Sequence, residues 1–491
     1  MRGGGGPGGP WGAADPPRGV AVPVRSLSPP WTALEVVVRI ALLTESADPG
    51  TVRWCERLVR SLPEYAFQHV GPGPRRPHPR RGPRGRARVR CLRSYEALVR
   101  ALVDPRESDG FPAALYALAE SAGDRGLAAA LPAPDDAQRV LERAWRSPGA
   151  GEAAADPTVR DVLTAADLLD RCLRPAAVPW CRDAADPPDL CHVVDGGPTA
   201  LPALLARRLH GTPFVVSDRR LHLREQYLDR TAGQHRTPGR ALLLTFLRLL
   251  AQETGRQAAL TLPADEHSLR WQQRCGADPA RTRLVRDGIA DPGHPAAGPE
   301  PEAPTLLWVR TPGDTCPPEA LRAAFARVRE QVPAAQLRMY DAEPTDPPGP
   351  GLVYGEGSVV LLPAPALPRP EPLVAAMLSG RAVIAGDLGV AREVVGPAGL
   401  LIPPGDPQAL ADACTALLCD PERRARLGTA GRQRAQELYS AEAAADAFRT
   451  AYLDAVSRWP AFPTAGGRTA EPFARPAEYW AAAPLPERET A

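Results

Sequence analysis

Three residues in the C-terminal half of this sequence have side chains or positions suited to a charged ligand. Arg310 follows the apolar run TLLWV, and a guanidinium can form two parallel hydrogen bonds to phosphate oxygens. Gly389 lies in a turn before the helical segment REVV, and a helix N-terminus attracts anions. Glu371 begins another helical segment, where the helix dipole alone already favours an acidic residue. Arg310 and Gly389 are therefore candidates for phosphate binding, although a solvated loop arginine and a simple tight turn are the alternatives.

Three further candidates lie in the N-terminal half. His192 stands near the end of the strand-like run DLCHVVD, where a lone histidine is either structural or at the edge of a ligand cleft. Arg224 and Glu225 are adjacent and oppositely charged, which also suits a surface ion pair that contributes little. Their residue types alone leave both interpretations open.

Composition limits the classes of function. The chain has 491 residues, 44% of them hydrophobic, which is enough for two large cores. The net charge of +2 shows no demand for nucleic acid as a partner. All 59 basic residues are arginine, so no lysine is available as a base, a Schiff-base former or a phosphate ligand.

Cysteine usage and hydropathy indicate a cytoplasmic protein without a structural metal. The nine cysteines are scattered, with no C-x2-C pair and no histidine cluster beside them, which favours reduced thiols. No apolar run approaches the roughly 20 residues that a membrane helix needs. The segment MRGGGGPGGPWGAADPPRG lacks the apolar core of a secretory signal.

The periodicity of residues 35–290 predicts an α/β domain. VVVRIALLT, DLCHVVD and TPFVVSD are typical of buried parallel strands, and helical patterns such as GPTALPALLARRLHG follow them. A helical insertion is expected at about 94–173. The arginine- and proline-rich stretch 71–90 is favoured as a solvated extended loop, and an arm for an anionic partner is the alternative. The Gly/Pro-rich residues 1–34 indicate a disordered leader.

A second α/β domain is predicted at 305–439, after a Pro/Gly-rich linker at 291–304. A last helix is expected at 440–458 and a proline-rich tail at 459–491. Two doubly wound parallel sheets bind ligands at the carboxyl ends of their strands, so a cleft between the domains is expected.

The run EPLVAAMLSGRAVIAGDLGVAREVVGPAGLLIPPGDPQALADA resembles the C-terminal domain of the retaining family 4 glycosyltransferases, through AM-x-x-GR-x-V, the Gly389 turn and GLLIPPGDPQALADA. The N-terminal half is similar to the Pel-type exopolysaccharide glycosyltransferases and their uncharacterised N-terminal domain. RIALLTE, WCERLVRSLPEYAF, YEALVRALVDP, DLCHVVDGGPTALPALLARRLHG and LHLREQYL follow that pattern in order. The resemblance covers nearly all of residues 39–457.

The resemblance implies a GT-B fold, with two Rossmann-like domains facing a cleft and a last helix that crosses back to the first domain. It implies transfer of a hexose from a UDP- or GDP-sugar, without cofactor or metal, to a glycan or exopolysaccharide acceptor. It further implies a cytoplasmic location, peripheral to the inner face of the membrane, with a membrane polysaccharide synthesis complex as partner. On the donor side of the implied cleft the candidates are Arg310, Gly389, Pro370 and Leu373. Glu371, which is not one of the family's carboxylates, is either a catalytic replacement for a lost glutamate or an ordinary first-turn glutamate. The residues that it places on the acceptor side of the cleft are Arg224, Glu225 and His192.

The sequence departs from the family at the positions that carry the chemistry. The two glutamates of the family motif correspond to Leu367 and Ala375, and the phosphate-binding lysine is absent. The histidine expected before Leu223-Arg224-Glu225 is replaced by Arg219. Two functions therefore stand side by side: a transferase in which Glu371 replaces a lost glutamate, and a catalytically inactive relative that serves as a binding or scaffold subunit.

Overall fold

A computed structural model describes most of the chain between residues 38 and 458. The predicted leader and tail lie outside the described residues, as does Leu367. The described ranges are 38–44, 49–71, 83–121, 131–150, 157–176, 188–219, 221–228, 238–289, 296–310, 316–341, 353–363 and 370–458.

The first half is built on a five-stranded parallel sheet with the strand order β2-β1-β3-β4-β5. Buried apolar residues fill the central strands, as expected for a sheet covered by helices on both faces. The strands are β1 (Arg39–Leu43), β2 (Ala66–Val70), β3 (Leu190–Val193), β4 (Phe214–Val216) and β5 (Leu260–Thr261). The helices are α1 (Pro49–Ser61), α2 (Gly85–Val103), α3 (Phe111–Ser121), α4 (Pro134–Trp145), α5 (Val159–Leu173), α6 (Leu201–His210), α7 (His222–Leu228), α8 (Pro238–Gln257) and α9 (Glu266–Arg274).

Two details of the first half differ from the sequence-based expectation. The stretch 71–90 is not all loop, because α2 begins at Gly85 and continues through arginines that are good helix formers. The edge strand β2 was not predicted, since its sequence AFQHV is only partly buried and lacks a buried apolar pattern. The helices α2 to α5 form the elaboration between β2 and β3.

The second half contains a parallel sheet with the order β7-β6-β8-β9-β10, which is the same 2-1-3-4-5 winding as in the first half. In each sheet the strand order reverses beside the first strand, so the switch points lie between β1 and β3 and between β6 and β8. The strands are β6 (Thr305–Arg310), β7 (Gln336–Asp341), β8 (Val359–Leu362), β9 (Ala382–Gly386) and β10 (Leu400–Ile402). The helices are α10 (Pro318–Gln331), α11 (Glu371–Leu378), α12 (Ala391–Val395), α13 (Pro407–Leu418), α14 (Pro421–Leu438) and α15 (Ala441–Arg458).

Helix caps in the second half agree with the sequence. Asp406 accepts hydrogen bonds from the backbone N–H groups of Gln408 and Ala409, and Asp420 accepts one from Arg423. A proline at the first helical position follows each of these aspartates. These local signals fix where α13 and α14 begin.

The last helix, α15, packs against the first sheet rather than the second. Phe448 and Tyr452 are buried in one cluster with Trp54 and Tyr65, and Arg449 donates to Glu64 at 2.7 Å. Gly288 lets the chain approach this helix, because a Cβ there would stand 2.8 Å from the Cα of Ala441. The two halves are thus joined by packing as well as by chain connection.

Two features are absent from the described ranges given above. No helix within them is long and apolar enough to cross a membrane. Within the same ranges no group of three or more His, Cys, Asp or Glu side chains is arranged to hold a metal ion.

Candidate functional site

The centre of the candidate site is Arg219, which follows β4 and joins the two halves. Its guanidinium, with a side chain only 7% exposed, donates to Asp287 of the first half. It also donates to Glu371 of the second half, with an Nη2 to Oε1 distance of 2.9 Å. One arginine therefore bridges two carboxylates that lie 68 and 152 residues away in the chain.

Trp54, on α1, completes the surroundings of this arginine. The guanidinium carbon lies 4.5 Å from the centre of the indole, within the range of a cation–π contact. The indole Nε1–H donates to Asp287 at 3.0 Å. Trp54 and Asp287 together hold the arginine in place, so Glu371 meets a preorganised cation.

The site carries more negative than positive charge and keeps unused hydrogen-bonding capacity. Oδ2 of Asp287 and Oε2 of Glu371 are both buried, and neither has a hydrogen-bond partner among the described residues. Such orphaned acceptors in native proteins ordinarily face a ligand or an ordered water molecule. The arrangement can accept hydrogen bonds from hydroxyl groups and stabilise a positive charge that develops nearby.

A second contact joins the halves beside this site. Glu393, on α12, accepts a hydrogen bond from Arg286 at 2.8 Å and another from the backbone N–H of Glu266 at 2.7 Å. The hydroxyl group of Tyr439 is buried there and has no described partner. Burial is the main cause that raises the pKa of Tyr439, so it stays protonated.

His192 lies next to Trp54 but serves the structure. It is fully buried, with Nδ1 2.7 Å from the Tyr452 hydroxyl and Nε2 2.9 Å from Oγ of Ser217. Burial, helped by the positive charge of Arg219, lowers its pKa to about 3. Both ring nitrogens are used by protein hydroxyl groups, so the predicted acceptor contact is not available to this imidazole.

Arg224 and Glu225 lie on α7, in a different polar group from Arg219. The Arg224 guanidinium is 5.8 Å from the ring centre of Trp271 and lines a cavity in the first half. Burial, and to a smaller extent the charges of Asp195 and Glu225, raise the pKa of Asp218 to about 6. The structure therefore associates this predicted pair with Asp218 and Trp271.

Two of the predicted donor-side residues, Arg310 and Glu371, lie at the switch point of the second sheet. Arg310 ends β6 and Glu371 follows β8, so they flank this switch point at the carboxyl edge. The Arg310 guanidinium lies 5.5 Å from the ring centre of Trp308. Arg310 and Glu371 thus occupy the place where doubly wound sheets bind ligands.

The remaining donor-side candidates shape the backbone or pack in the core of the second half. Gly389 has a φ of 62°, so the turn before α12 requires a left-handed residue, but that helix has only five residues and a correspondingly weak dipole. Pro370 is buried and stands just before α11, and Leu373 is fully buried in the core of the second half. The side chain of Leu373 therefore supports α11 and is not exposed to a ligand in this structure.

Sequence reasoning did not identify Trp54 or Asp287, and it treated Arg219 only as a replaced histidine. A usable signal existed for Asp287, because it follows the strand-like run RTRLV at a carboxyl edge just before the linker. No local pattern marks Trp54, which occupies an ordinary buried position on α1.

One family model matches part of the second half. Residues 349–420, which include Glu371 and Gly389, match the family described as glycosyl transferases group 1. No curated protein matches the chain.

Among solved structures, sucrose-phosphate synthase from Thermosynechococcus elongatus is 15% identical. The match covers 86% of this chain and 100% of that chain with a TM-score of 0.51. HepE of Anabaena, solved with UDP and glucose, is 12% identical over 85% of this chain and 99% of that chain, with a TM-score of 0.47. A glycosyltransferase from Rickettsia africae is 11% identical over 86% of this chain and 99% of that chain, with a TM-score of 0.43. The two equally wound sheets and the first of these likenesses identify the fold as GT-B.

Proposed function

We propose that this protein is a retaining glycosyltransferase that moves a hexose from a nucleotide-diphosphate sugar to a glycan acceptor. The observation that carries the proposal is Glu371, which stands at the switch point of the second sheet, is held by Arg219 and keeps one buried carboxylate oxygen unpaired. The match of residues 349–420 to glycosyl transferases group 1 supports the same reaction class.

Each charged residue has a role in this reaction. Arg310 binds the diphosphate, because it is the cation at the carboxyl end of β6 and the chain contains no lysine for that task. Oε2 of Glu371 accepts a hydrogen bond from a hydroxyl of the donor sugar. Together Glu371 and Asp287 stabilise the positive charge that develops on the anomeric carbon.

The bonding changes are simple. The acceptor hydroxyl oxygen forms a bond to the anomeric carbon while the bond between that carbon and the diphosphate oxygen breaks. The hydroxyl proton passes to the departing phosphate, so charge and atoms balance. Arg219 acts as a positioning residue because it fixes the orientation of Glu371 and does not leave its own ion pairs.

One observation favours a second candidate, a non-catalytic binding or scaffold subunit. Arg219 neutralises one of the two carboxylates, and Ala375 offers only a methyl group where the related enzymes carry a glutamate. A protein of this kind would bind the donor or the glycan without turnover.

Titration calorimetry with UDP-glucose and GDP-mannose, paired with a donor-hydrolysis assay, separates the two candidates. We expect Arg310→Ala to weaken donor binding by about tenfold or more, through loss of a charged hydrogen bond. We expect Glu371→Gln to bind the donor but to hydrolyse it about a hundredfold more slowly. Arg329→Ala, an exposed arginine at the end of α10, is the matched control.

The outcomes are distinct. Donor binding without hydrolysis in the wild-type protein would select the scaffold function. No detectable binding of any nucleotide sugar would refute the transferase and would leave only a scaffold subunit that binds the glycan. We further propose a UDP- or GDP-sugar as the donor, and the same titrations distinguish these two. The proposed acceptor is an exopolysaccharide, and the proposed location is the cytoplasmic face of a membrane polysaccharide complex.

A further inference from the structure

The exposed side of helix α2 carries a group of arginines that the Arg219 site does not use. Arg86, Arg90 and Arg93 are spaced at four and three residues, so they lie on one side of the helix and form the arginine face of α2. All three are exposed, and none has an ion-pair or hydrogen-bond partner for its side chain among the residues that the structure describes. The opposite side of α2 is buried in the core of the first half, so the arginine face points to solvent.

Two acidic side chains form ion pairs with α2, but through other arginines. Asp136, on α4, accepts hydrogen bonds from Arg88 through both carboxylate oxygens, at 2.8 and 3.1 Å. Glu96 lies 3.8 Å from Arg100, one turn further along α2. The arginine face therefore keeps its positive charge without a counter-charge from these carboxylates.

The sequence concentrates positive charge around this face. The 31 residues between Glu64 and Glu96 contain nine arginines and no acidic residue, whereas the whole chain has a net charge of only +2. The rest of the chain is thus net negative. The absence of lysine concerns the whole chain, so it does not explain why acidic residues are missing from this one segment.

The arginine face is unfavourable for α2 itself. A helix N-terminus favours acidic residues, yet the first turn of α2 contains none, and its N-cap residue, Arg84, forms no side-chain cap. Arg86 and Arg90 are four residues apart and Arg90 and Arg93 are three apart, and like charges at these spacings destabilise a helix. A charge arrangement that costs local stability indicates a use outside folding, namely attraction of a negatively charged partner.

The composition of this surface favours one kind of anionic partner. No aromatic residue occurs from 71 to 94, so this segment offers no platform on which nucleic-acid bases could stack. Val89, which is 51% exposed beside the arginine face, adds an apolar contact instead. Clusters of basic residues are typical of proteins that bind anionic lipids, because a flat bilayer contacts all residues on one exposed side of a helix at once.

We propose that the arginine face of α2 binds the anionic headgroups of a lipid bilayer and so holds the protein at a membrane surface. The guanidinium groups donate hydrogen bonds to headgroup phosphates, and Val89 contacts the interfacial region. The inference names the surface and the lipid class for the location proposed above. It does not depend on transfer of a sugar, because binding to a bilayer requires neither donor nor acceptor.

Vesicle co-sedimentation with the full-length protein tests the proposal. The vesicles contain phosphatidylcholine alone or phosphatidylcholine mixed with phosphatidylglycerol. We expect binding to the mixed vesicles only, with an affinity that falls as the salt concentration rises. The variant R86Q/R90Q/R93Q should bind about a hundredfold more weakly, because each basic residue near an anionic bilayer contributes about fivefold.

A matched control variant removes the same charge from another surface. It replaces three exposed arginines of α10, in the second half, by glutamine: R322Q/R327Q/R329Q. We expect this variant to bind the mixed vesicles like the wild type. The two triple variants have the same net charge, so a difference between them reports the position of the arginines.

Thermal unfolding without lipid gives a readout that a structural role of these arginines would move in the opposite direction. Glutamine forms helices about as well as arginine, and the substitutions relieve the repulsion along α2. We therefore expect R86Q/R90Q/R93Q to unfold at the same temperature as the wild type or at a higher one. A lower unfolding temperature would show that the arginine face serves the fold.

The vesicle experiment can overturn the assignment in three ways. They are equal binding to vesicles of phosphatidylcholine alone, absence of binding to the mixed vesicles, and equal losses in the two triple variants. Tighter binding of single-stranded DNA or alginate at the same salt concentration would also overturn it, because it would identify another polyanion as the partner. Titration of R86Q/R90Q/R93Q with UDP-glucose keeps the test independent of the proposed function, since that affinity should not change.

Discussion

The two sheets have the same winding, yet their switch points differ in content. In the first sheet, Thr44 at the end of β1 donates to Asp195 after β3 at 2.7 Å, and Trp54 and His192 lie buried nearby. In the second sheet, the corresponding edge carries Arg310 and Glu371. One crevice is closed by the protein's own side chains, whereas the other presents a cation and a carboxylate with an unpaired oxygen.

This difference shows that equal topology does not imply equal use of the ligand site. The first half fills its switch point with Thr44, Asp195 and buried aromatic residues, and it uses Arg219 as a buried link to the second half. The second half relies on that link to orient Glu371. Stability should therefore depend mainly on the first switch point, and ligand binding on the second.

The largest loss in the free energy of unfolding is expected from Arg219→Met. Removing the guanidinium leaves Asp287 and Glu371 without their cation, and breaking a buried ion pair in this way costs about 3–5 kcal/mol. Urea denaturation measures the loss. A second change, Asp287→Asn, should recover part of it in the double variant, and a loss below about 1 kcal/mol in Arg219→Met would contradict the buried link.

The second prediction concerns how the free energy of unfolding changes with pH through the buried His192. Because the folded pKa of His192 is about 3 and its ordinary value is 6.5, the unfolded chain takes up this proton first as pH falls. Stability is therefore lost between pH 6.5 and 3, by up to about 1.4 kcal/mol per pH unit. His192→Asn should flatten this part of the stability curve.

A difference curve between wild type and His192→Asn is needed for that measurement. Protonation of Asp218 changes the stability in the opposite direction. Because its folded pKa of about 6 exceeds the ordinary 3.8, acidification across this window favours the folded state. It is present in both proteins and cancels in the difference. Identical curves for the two proteins would show that His192 is not buried in its neutral form.

A smaller loss in the free energy of unfolding is expected from Trp54→Phe. The variant loses the indole hydrogen bond to Asp287 and part of the cation–π contact with Arg219, together about 1–2 kcal/mol. Trp145→Phe is the control, because Trp145 is buried in the apolar core of the same half. Equal losses in the two variants would mean that packing alone explains the role of Trp54.

The smallest change in stability is expected from Glu371→Gln. The amide oxygen can still accept from Arg219, and the side chain is 24% exposed, so unfolding should change by about 1 kcal/mol or less. A larger loss would place Glu371 with the structural residues of the first switch point and would remove the contrast between the two halves.

The sequence by itself determined the local structure and the fold class. Alternating buried strands and amphipathic helices predicted two doubly wound sheets, and Asp406 and Asp420 with their following prolines marked two helix starts. These signals act over a few residues, so they can be read directly from the chain. The partly buried strand β2 was missed because an edge strand does not need a continuous apolar run.

Only the tertiary structure decided how the charged residues are used. Arg219, Asp287 and Glu371 come from separate parts of the chain, and nothing in their local sequence indicates that one guanidinium joins them. Local patterns fix helices and strands, whereas burial and pairing of charges depend on which distant surfaces meet.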